Sequence, residues 1–245
     1  MNPTTALVRL LGAAGAGWCA IALAAAPSPA SREIHGAAAG PRQGSGPLAA
    51  IHAHVCGFHF YSGDMKRALR VDHYCSHLAT GIFQCVIYDS ARSDARLIGV
   101  EYIISEALFN GLPADEKILW HSHRYEVMSG LLTAPGTSGA AEQELMKELV
   151  STYGKTWHFW QTDRGDTLPL GLPKLMMGFT ADGQADPGMV ADRDRALNID
   201  SSRKKAERAD FSVRPVADGA DAWKRGLAFQ LDDKWLMQTS APPKP

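Results

Sequence analysis

Histidine is distributed unevenly along this chain, and that distribution constrains the fold more than any other feature. Eight of the nine histidines lie between His52 and His158, and seven of them form three short groups. These groups fall within residues 52–59, 73–77 and 121–126. Polar side chains at this density in a folded domain must find partners, so we predict that at least three imidazoles converge.

Imidazole, thiolate and carboxylate are the side chains that hold zinc, copper, nickel and iron in proteins. All three types occur in the groups, since Cys56 and Cys75 lie near histidines and Glu126 follows His123 by three residues. The pattern therefore predicts a metal site or an acid/base site. It does not by itself name a reaction.

The composition limits the function further. The 245 residues are enough for one domain with a substantial core. The net charge of −1 and the lack of a long basic run argue against a nucleic-acid partner. The sequence contains no P-loop, dinucleotide-binding glycine pattern or Gly-x-Ser-x-Gly elbow. The mixed charges of residues 192–208 are typical of a solvated helical face.

The first 30 residues have the character of a signal peptide. Arg9 precedes the uncharged stretch Leu10–Ala26, and small residues suited to cleavage follow. We predict an exported chain, periplasmic or secreted. A permanent membrane anchor is the less favoured alternative because the stretch is rich in Ala and Gly and only weakly hydrophobic.

The remaining chain divides by composition into three parts. Residues 31–50 are rich in Gly, Ala and Pro and predict a disordered linker. Residues 51–235 predict one folded domain, and residues 236–245 predict a flexible tail.

Local patterns within the domain predict both strands and helices. We expect strands over residues 51–61, 82–89, 95–104, 125–134 and 155–161. We expect longer helices over residues 65–78, 140–153 and 189–199, and short helices after Ser105 and Pro113. Strands and helices do not alternate as βαβ units, which favours an α+β domain, an antiparallel sheet with packed helices.

Two histidine pairs stand out as metal ligands. His121 and His123 project to the same side of an extended segment, and Glu126 follows as a ligand or general base. His73 and His77, four residues apart, would share one face of the predicted helix 65–78. With the two candidates on the first strand, the predicted ligands of a transition metal such as zinc are His54, His59, His73, His77, His121 and His123. Glu126 is the predicted catalytic carboxylate.

The cysteines and one buried acid leave alternatives open. Cys56, His59, Cys75 and His77 could form a closed tetrahedral site, while a Cys56–Cys75 disulfide is an equal rival in an oxidising compartment. Glu101 lies in an apolar strand; if it faces the core it needs a partner such as Arg96, Arg124 or a histidine.

Long stretches of the chain are similar to one known family. The stretches are residues 54–65, 73–77, 88–90, 97–103, 119–123, 125–127, 129–132, 152–155, 163–166, 168–171 and 175–177. They resemble the oil body-associated protein family, of which this chain would be a bacterial exported member. The resemblance covers about residues 51–235 and implies association with seed oil bodies in plants. It implies no established catalytic residue or cofactor.

The predicted leader departs from the plant pattern, so we expect a role in the cell envelope, with a lipid or membrane surface as partner. Residues 168–177 are a lipid-contacting surface or, as we favour, an irregular segment covering the core. The favoured function is an exported, non-enzymatic domain with a His/Cys-rich metal site. A metal-dependent enzyme with a His/Glu site is the alternative. The sequence does not indicate an oligomeric state.

Overall fold

The computed structural model of the chain describes residues 46–232. The predicted leader, residues 31–45 of the predicted linker and the predicted tail lie outside the described residues. Residues 46–50 form a short 3-10 helix. The seven strands are β1 (Ala53–Tyr61), β2 (Asp64–Ala79), β3 (Ile82–Tyr88), β4 (Leu97–Ser105), β5 (His121–Ser122), β6 (Thr152–His158) and β7 (Lys174–Met177). The α-helices are α1 (Glu106–Asn110), α2 (Ala114–Lys117), α3 (Arg124–Met128), α4 (Gly139–Leu149), α5 (Pro187–Leu197) and α6 (Ser201–Glu207).

Six of the strands close into an antiparallel barrel. Their order is β4-β3-β2-β1-β7-β6, and β6 pairs in turn with β4, which completes the ring. The two-residue β5 pairs with the first half of β6, on the same edge that β7 occupies further along. The predicted fold class, an α+β sheet with packed helices, is therefore wrong. The sheet buries one face by curling on itself, so it does not need a layer of helices.

The predicted helix 65–78 is also wrong, because these residues form the long strand β2. Leu69, Val71 and His73 lie on one face of the strand, and Arg70 and Asp72 lie on the other. This alternation is the period of two expected for a strand. Pairing with β1 on one side and β3 on the other satisfies the backbone of β2.

Other local predictions are confirmed. β3 and β4 form the expected antiparallel hairpin. Ser105 accepts a hydrogen bond from the backbone N–H of Leu108 and caps α1. The predicted helix 140–153 is confirmed as α4, which Ser138 caps in the same way through Ala141 N–H, although α4 ends at Leu149 and β6 begins at Thr152. None of the helices in this described part of the chain combines the length and apolar character needed to cross a membrane.

The predicted strand 125–134 is wrong, since its first residues form α3 and the rest form an irregular segment. The predicted solvated face of residues 192–208 is wrong for two arginines, because the side chains of Arg193 and Arg208 are fully buried. Their guanidinium groups donate to backbone carbonyls of residues 127–132, including Leu131 O at 2.8 Å from Arg193 Nη1. Within the described residues the segment pairs with β1 at Thr133, and the arginine bonds take the place of further strand pairing.

The register of the barrel brings polar residues from distant strands into its interior. One row of directly opposed residues runs across β2, β3, β4 and β6 and consists of His73, Ile87, Gly99 and His158. The next row on the same face consists of Cys75, Cys85, Glu101 and Thr156. Because side chains two residues apart share a face, the barrel places two histidines and a glutamate side by side.

Candidate metal centre

The donor atoms inside the barrel come from five separate parts of the chain. β1 contributes His59, and β2, β4 and β6 contribute the interior residues of the two rows described above. Close to these strands, β5 contributes His121, and α3 contributes Glu126 together with its N-cap residue His123. Seven buried residues meet in this cluster: His59, His73, Glu101, His121, His123, Glu126 and His158.

The carboxylate of Glu101 is the centre of the cluster. Its Oε1 lies 3.1 Å from His123 Nε2 and 3.4 Å from His121 Nε2. Its Oε2 lies 2.8 Å from His73 Nε2 and 3.8 Å from His59 Nε2. The His73 contact lacks the direction of a hydrogen bond despite its short distance. Four imidazoles therefore turn the same ring nitrogen toward one carboxylate.

The hydrogen bonds of His123 fix which of its nitrogens carries a proton. Thr152 Oγ1 donates its only hydrogen to Leu149 O at 2.7 Å. The contact of 2.8 Å between His123 Nδ1 and Thr152 Oγ1 must therefore be donated by the imidazole. In neutral His123 the remaining nitrogen, Nε2, then presents a lone pair to the carboxylate of Glu101. Two acceptors at 3.1 Å need a cation between them, which is either a proton or a metal ion.

Burial controls the protonation of the other imidazoles. It lowers the pKa of His121 and of His158 to about 3, and it lowers the pKa of His59 well below its ordinary value. These rings are therefore neutral at pH 7, which is the form that binds metal ions.

The two carboxylates have opposite pKa shifts. Burial alone would raise the pKa of Glu101, but the neighbouring His123 and His73 side chains outweigh burial and lower that pKa well below its usual range. Burial raises the pKa of Glu126 well above its usual range, and the nearby Glu101 and Asp221 carboxylates raise it further. Burial thus favours the neutral form of Glu126, and its Oε2 has no hydrogen-bond partner among residues 46–232.

Glycine provides the space for this cluster. A Cβ at Gly154, on β6, would overlap the Glu101 carboxylate and would also press on His123. A Cβ at Gly178, after β7, would lie 2.6 Å from Glu126 Oε2. A cavity of about 10 Å³ remains beside His59, Glu101 and Glu126, enough for about one water molecule.

Two sets of three donors have the spacing of a coordination sphere. His59, Glu101 and His121 form one set, and His121, His123 and Glu126 form the other. Within each set the chosen ligand atoms lie within 4.8 Å of one another. Zinc–nitrogen bonds of about 2.0–2.1 Å separate tetrahedral donors by roughly 3.3 Å, and several of the gaps around Glu101 are close to that value. Both sets consist of two histidines and one carboxylate, a combination typical of zinc and non-haem iron.

Two of the predicted ligands lie elsewhere. His54 projects outside the barrel, where its Nε2 contacts Asp72 Oδ1 at 2.8 Å. His77, near the end of β2, is partly exposed and contacts His52 and Glu148. The structure brings together the other predicted residues, namely His59, His73, His121, His123 and Glu126.

The cysteines do not join the cluster. Cys75 and Cys85, directly opposed on β2 and β3, form a disulfide, and Cys56 is a buried free thiol. The alternatives of a Cys56–Cys75 disulfide and of a Cys56/His59/Cys75/His77 site are therefore wrong. Burial, with a smaller contribution from Asp72, raises the pKa of Cys56 to about 11, so the thiol is inert near neutral pH.

Sequence reasoning missed two members of the cluster as site residues. Glu101 was expected to need a partner if buried, and that partner is a set of histidines. The alternation of His158 with Trp157 on β6 predicts that these two side chains lie on opposite faces of the strand. It does not indicate which of the two faces lines the barrel interior.

Comparison with known proteins places the chain in a family. The family described as "Protein of unknown function (DUF1264)" matches residues 45–212. Oil body-associated protein 1A of Zea mays is 43% identical over 199 residues, which cover 79% of this chain and 82% of that protein. The chain belongs to the oil body-associated protein family. Oil body-associated protein 1B of Arabidopsis thaliana is 41% identical over 199 residues, with 79% and 81% coverage.

The family match at residues 45–212 includes every barrel strand and all seven residues of the cluster. The relatives are plant oil body-associated proteins, and their descriptions name no cofactor and no reaction. No solved structure matches the chain.

Proposed function

We propose that the barrel interior binds one divalent transition-metal ion, zinc or a similar ion, and that the domain acts through this bound ion without turning over a substrate. The observation that carries the proposal is the contact between His123 Nε2 and Glu101 Oε1. A histidine that binds a metal through one ring nitrogen usually donates a hydrogen bond from the other nitrogen to a neighbouring group. His123 has this arrangement, because its Nδ1 donates to the Thr152 hydroxyl. The lone pair that remains faces a carboxylate across the space where an ion fits.

The charges of the cluster support one divalent ion. The cluster contains two carboxylates, Glu101 and Glu126, and burial lowers the pKa of His59, His121 and His158, so these three imidazoles add no charge. One divalent ion would therefore be balanced by the protein, whereas two would leave an uncompensated charge in a sealed interior. We assign the ion to His59, Glu101 and His121, one of the two sets of donors, with His123 as a further ligand because its Nε2 lies 3.1 Å from Glu101 Oε1.

The small cavity favours a binding role over catalysis. Its volume of about 10 Å³ leaves no room for an organic substrate beside the donors. An open coordination position would favour the enzyme alternative, in which Glu126 acts as general base. The visible spectrum of cobalt-substituted protein distinguishes the binding role from the enzyme alternative. We expect azide to leave its visible spectrum unchanged, whereas an azide-induced spectral change would favour the enzyme.

Metal analysis of the tag-free mature chain tests the main proposal. We expect about one ion per chain as purified, or after reconstitution with Zn²⁺ or Fe²⁺ under reducing conditions. The isosteric variant Glu101→Gln should lose the ion. The matched control His77→Ala changes a histidine outside the cluster and should retain it.

Folding of both variants is checked by circular dichroism. Wild-type protein that binds no stoichiometric ion after reconstitution would overturn the proposal. So would equal metal content in folded Glu101→Gln and His77→Ala proteins.

We also propose contact with a lipid surface as a second function, supported by apolar side chains outside the core. Leu168 and Leu170 are 59% and 57% exposed on the segment that leads into β7, whose own apolar side chains are buried. Leu97 and Phe159 are also exposed, on adjacent strand ends joined by the bond from Phe159 N–H to Ile98 O. Apolar side chains at one end of a barrel suit a lipid interface, and the names of the plant relatives point in the same direction.

Flotation with liposomes tests the lipid contact. We expect the mature chain to float with phosphatidylcholine vesicles, and we expect the double variant Leu168→Asp/Leu170→Asp to float much less. Leu78→Asp is the control, because Leu78 is 60% exposed on a different part of the barrel. Wild-type protein that stays at the bottom of the gradient would sink this idea.

We further propose that the chain is exported after cleavage of a leader within residues 1–30, as its composition predicts. Expression of the full chain in a bacterial host should give periplasmic protein whose amino terminus starts near residue 25 or residue 31. Protein that remains cytosolic and retains Met1 would contradict export. Uncleaved protein in the membrane fraction would instead support the anchor.

A further inference from the structure

A second cavity lies on the outer side of the segment that carries the metal donors. It has a volume of about 350 Å³ and lies between α3 and the chain that follows α6. The segment 121–126 separates it from the barrel interior. His121, His123 and Glu126 belong to the interior cluster, whereas Ser122, Arg124 and Tyr125 line this cavity.

The charges of this cavity are unbalanced. Arg124 and Lys224 line it, and within residues 46–232 neither side chain makes a hydrogen bond or an ion pair with another residue. The carboxylate that also lines it, Asp221, is buried and already accepts bonds from Ser122. Those bonds measure 2.8 Å from the backbone N–H and 2.7 Å from the hydroxyl. The guanidinium of Arg124 and the ammonium of Lys224 are therefore available to bind a ligand.

The rest of the wall is largely apolar. Met128 contributes a flexible side chain, and Val213 and Val216 contribute branched ones. A pocket of a few hundred cubic ångströms with apolar walls and a few polar groups is typical of small-ligand sites. A guanidinium also matches the two oxygens of a carboxylate better than it matches a single acceptor.

We infer that this cavity binds a small amphiphilic carboxylate, with its head between Arg124 and Lys224 and its apolar chain against Met128, Val213 and Val216. The inference goes beyond the metal proposal and does not depend on it. Arg124 and Lys224, which would bind the ligand, lie on the solvent side of the segment 121–126, and the metal donors lie on its barrel side.

Calorimetric titration of the mature chain with hexanoate tests the inference. Three comparison ligands are titrated in the same way. Hexanol has the same alkyl chain without the charge, hexylammonium has the opposite charge, and acetate has the carboxylate without the long chain. We expect hexanoate to bind with a dissociation constant at least tenfold lower than that of any of the other three. Arg124→Gln and Lys224→Gln should each weaken binding about three- to tenfold, in line with one lost charge-assisted bond at a partly solvated site.

Lys147→Gln is the matched control, since Lys147 is exposed on α4 and away from the cavity, and it should bind hexanoate as the wild type does. The inference fails if hexanoate does not bind, if hexanol or acetate binds equally well, or if the two cavity variants bind like the control. Metal content measured on the same samples keeps this result separate from the metal proposal.

Discussion

At the scale of single residues, the Thr152 hydroxyl has an effect well beyond its own size. Within the described part of the chain, His121 has no hydrogen bond at either ring nitrogen, and His158 has none at Nδ1. His123 differs, because its bond to Thr152 determines both the orientation of the ring and the nitrogen that is free to bind an ion. A hydroxyl that touches no metal can thus set the affinity of the site.

Substitution of Thr152 should therefore weaken metal binding without removing a ligand. We expect Thr152→Val to lower the affinity for Zn²⁺ by roughly 10- to 100-fold, the usual effect of losing such a partner. Competition with a chromophoric chelator measures this change. Thr152→Ser keeps the hydroxyl and should stay within about threefold of the wild type. Equal affinities in the Val and Ser variants would show that the hydroxyl does not orient His123.

At the scale of elements, two buried arginines hold the chain that leaves α3. Arg193, on α5, donates to Leu131 O at 2.8 Å and to Ser201 Oγ at 2.9 Å. Arg208, after α6, donates to Val127 O at 2.7 Å and to Leu132 O at 2.8 Å. Backbone carbonyls that accept these arginine hydrogen bonds do not need a neighbouring strand. The elements α5 and α6 therefore stabilise the irregular backbone that follows α3, beside Glu126.

Removal of one of these arginines should be costly. Arg193→Met leaves Leu131 O without this donor and removes the ion pair with Asp194, whose carboxylate keeps its bonds from Ser201; we expect a loss of about 2–4 kcal/mol in the free energy of unfolding. Arg195→Met, on the same helix, changes a 76% exposed side chain and should cost less than about 0.5 kcal/mol. Urea titration measures both, and equal midpoints would refute the role of Arg193.

The same elements show how far the sequence alone could lead. The β3–β4 hairpin and α4 were predictable because their pairing or capping is local. β2 was misread because His73 and His77, four residues apart, share a face in a strand as well as in a helix. Pairing with β1 and β3 selects the strand, and a single sequence does not record those partners. Residues 125–134 were misread because Arg193 and Arg208, which satisfy them, lie more than 60 residues further along the chain.

At the scale of the whole molecule, closure of the barrel determines the site. The pairing of β4 with β6 places Glu101 opposite Thr156 and Gly99 opposite His158. This contact joins residues about fifty positions apart, so no local pattern predicts it. The histidine groups predicted that metal donors would converge, but closure of the barrel determines which donors do so. Closure places His158 in the cluster, whereas His54 lies on the outer surface.

An ion bound in this cluster would connect strands that meet only through closure, since His59 lies on β1, Glu101 on β4 and His121 on β5. The unfolded chain cannot present these donors together, so binding energy becomes folding stability. With free Zn²⁺ at 100 times its dissociation constant, the gain is about 2.7 kcal/mol, which corresponds to a melting temperature higher by roughly 5–10 °C for a domain of this size. Scanning calorimetry with and without a chelator measures the shift. His77→Ala should show the full increase and Glu101→Gln should show none; an equal increase in both would mean that zinc binds outside the barrel.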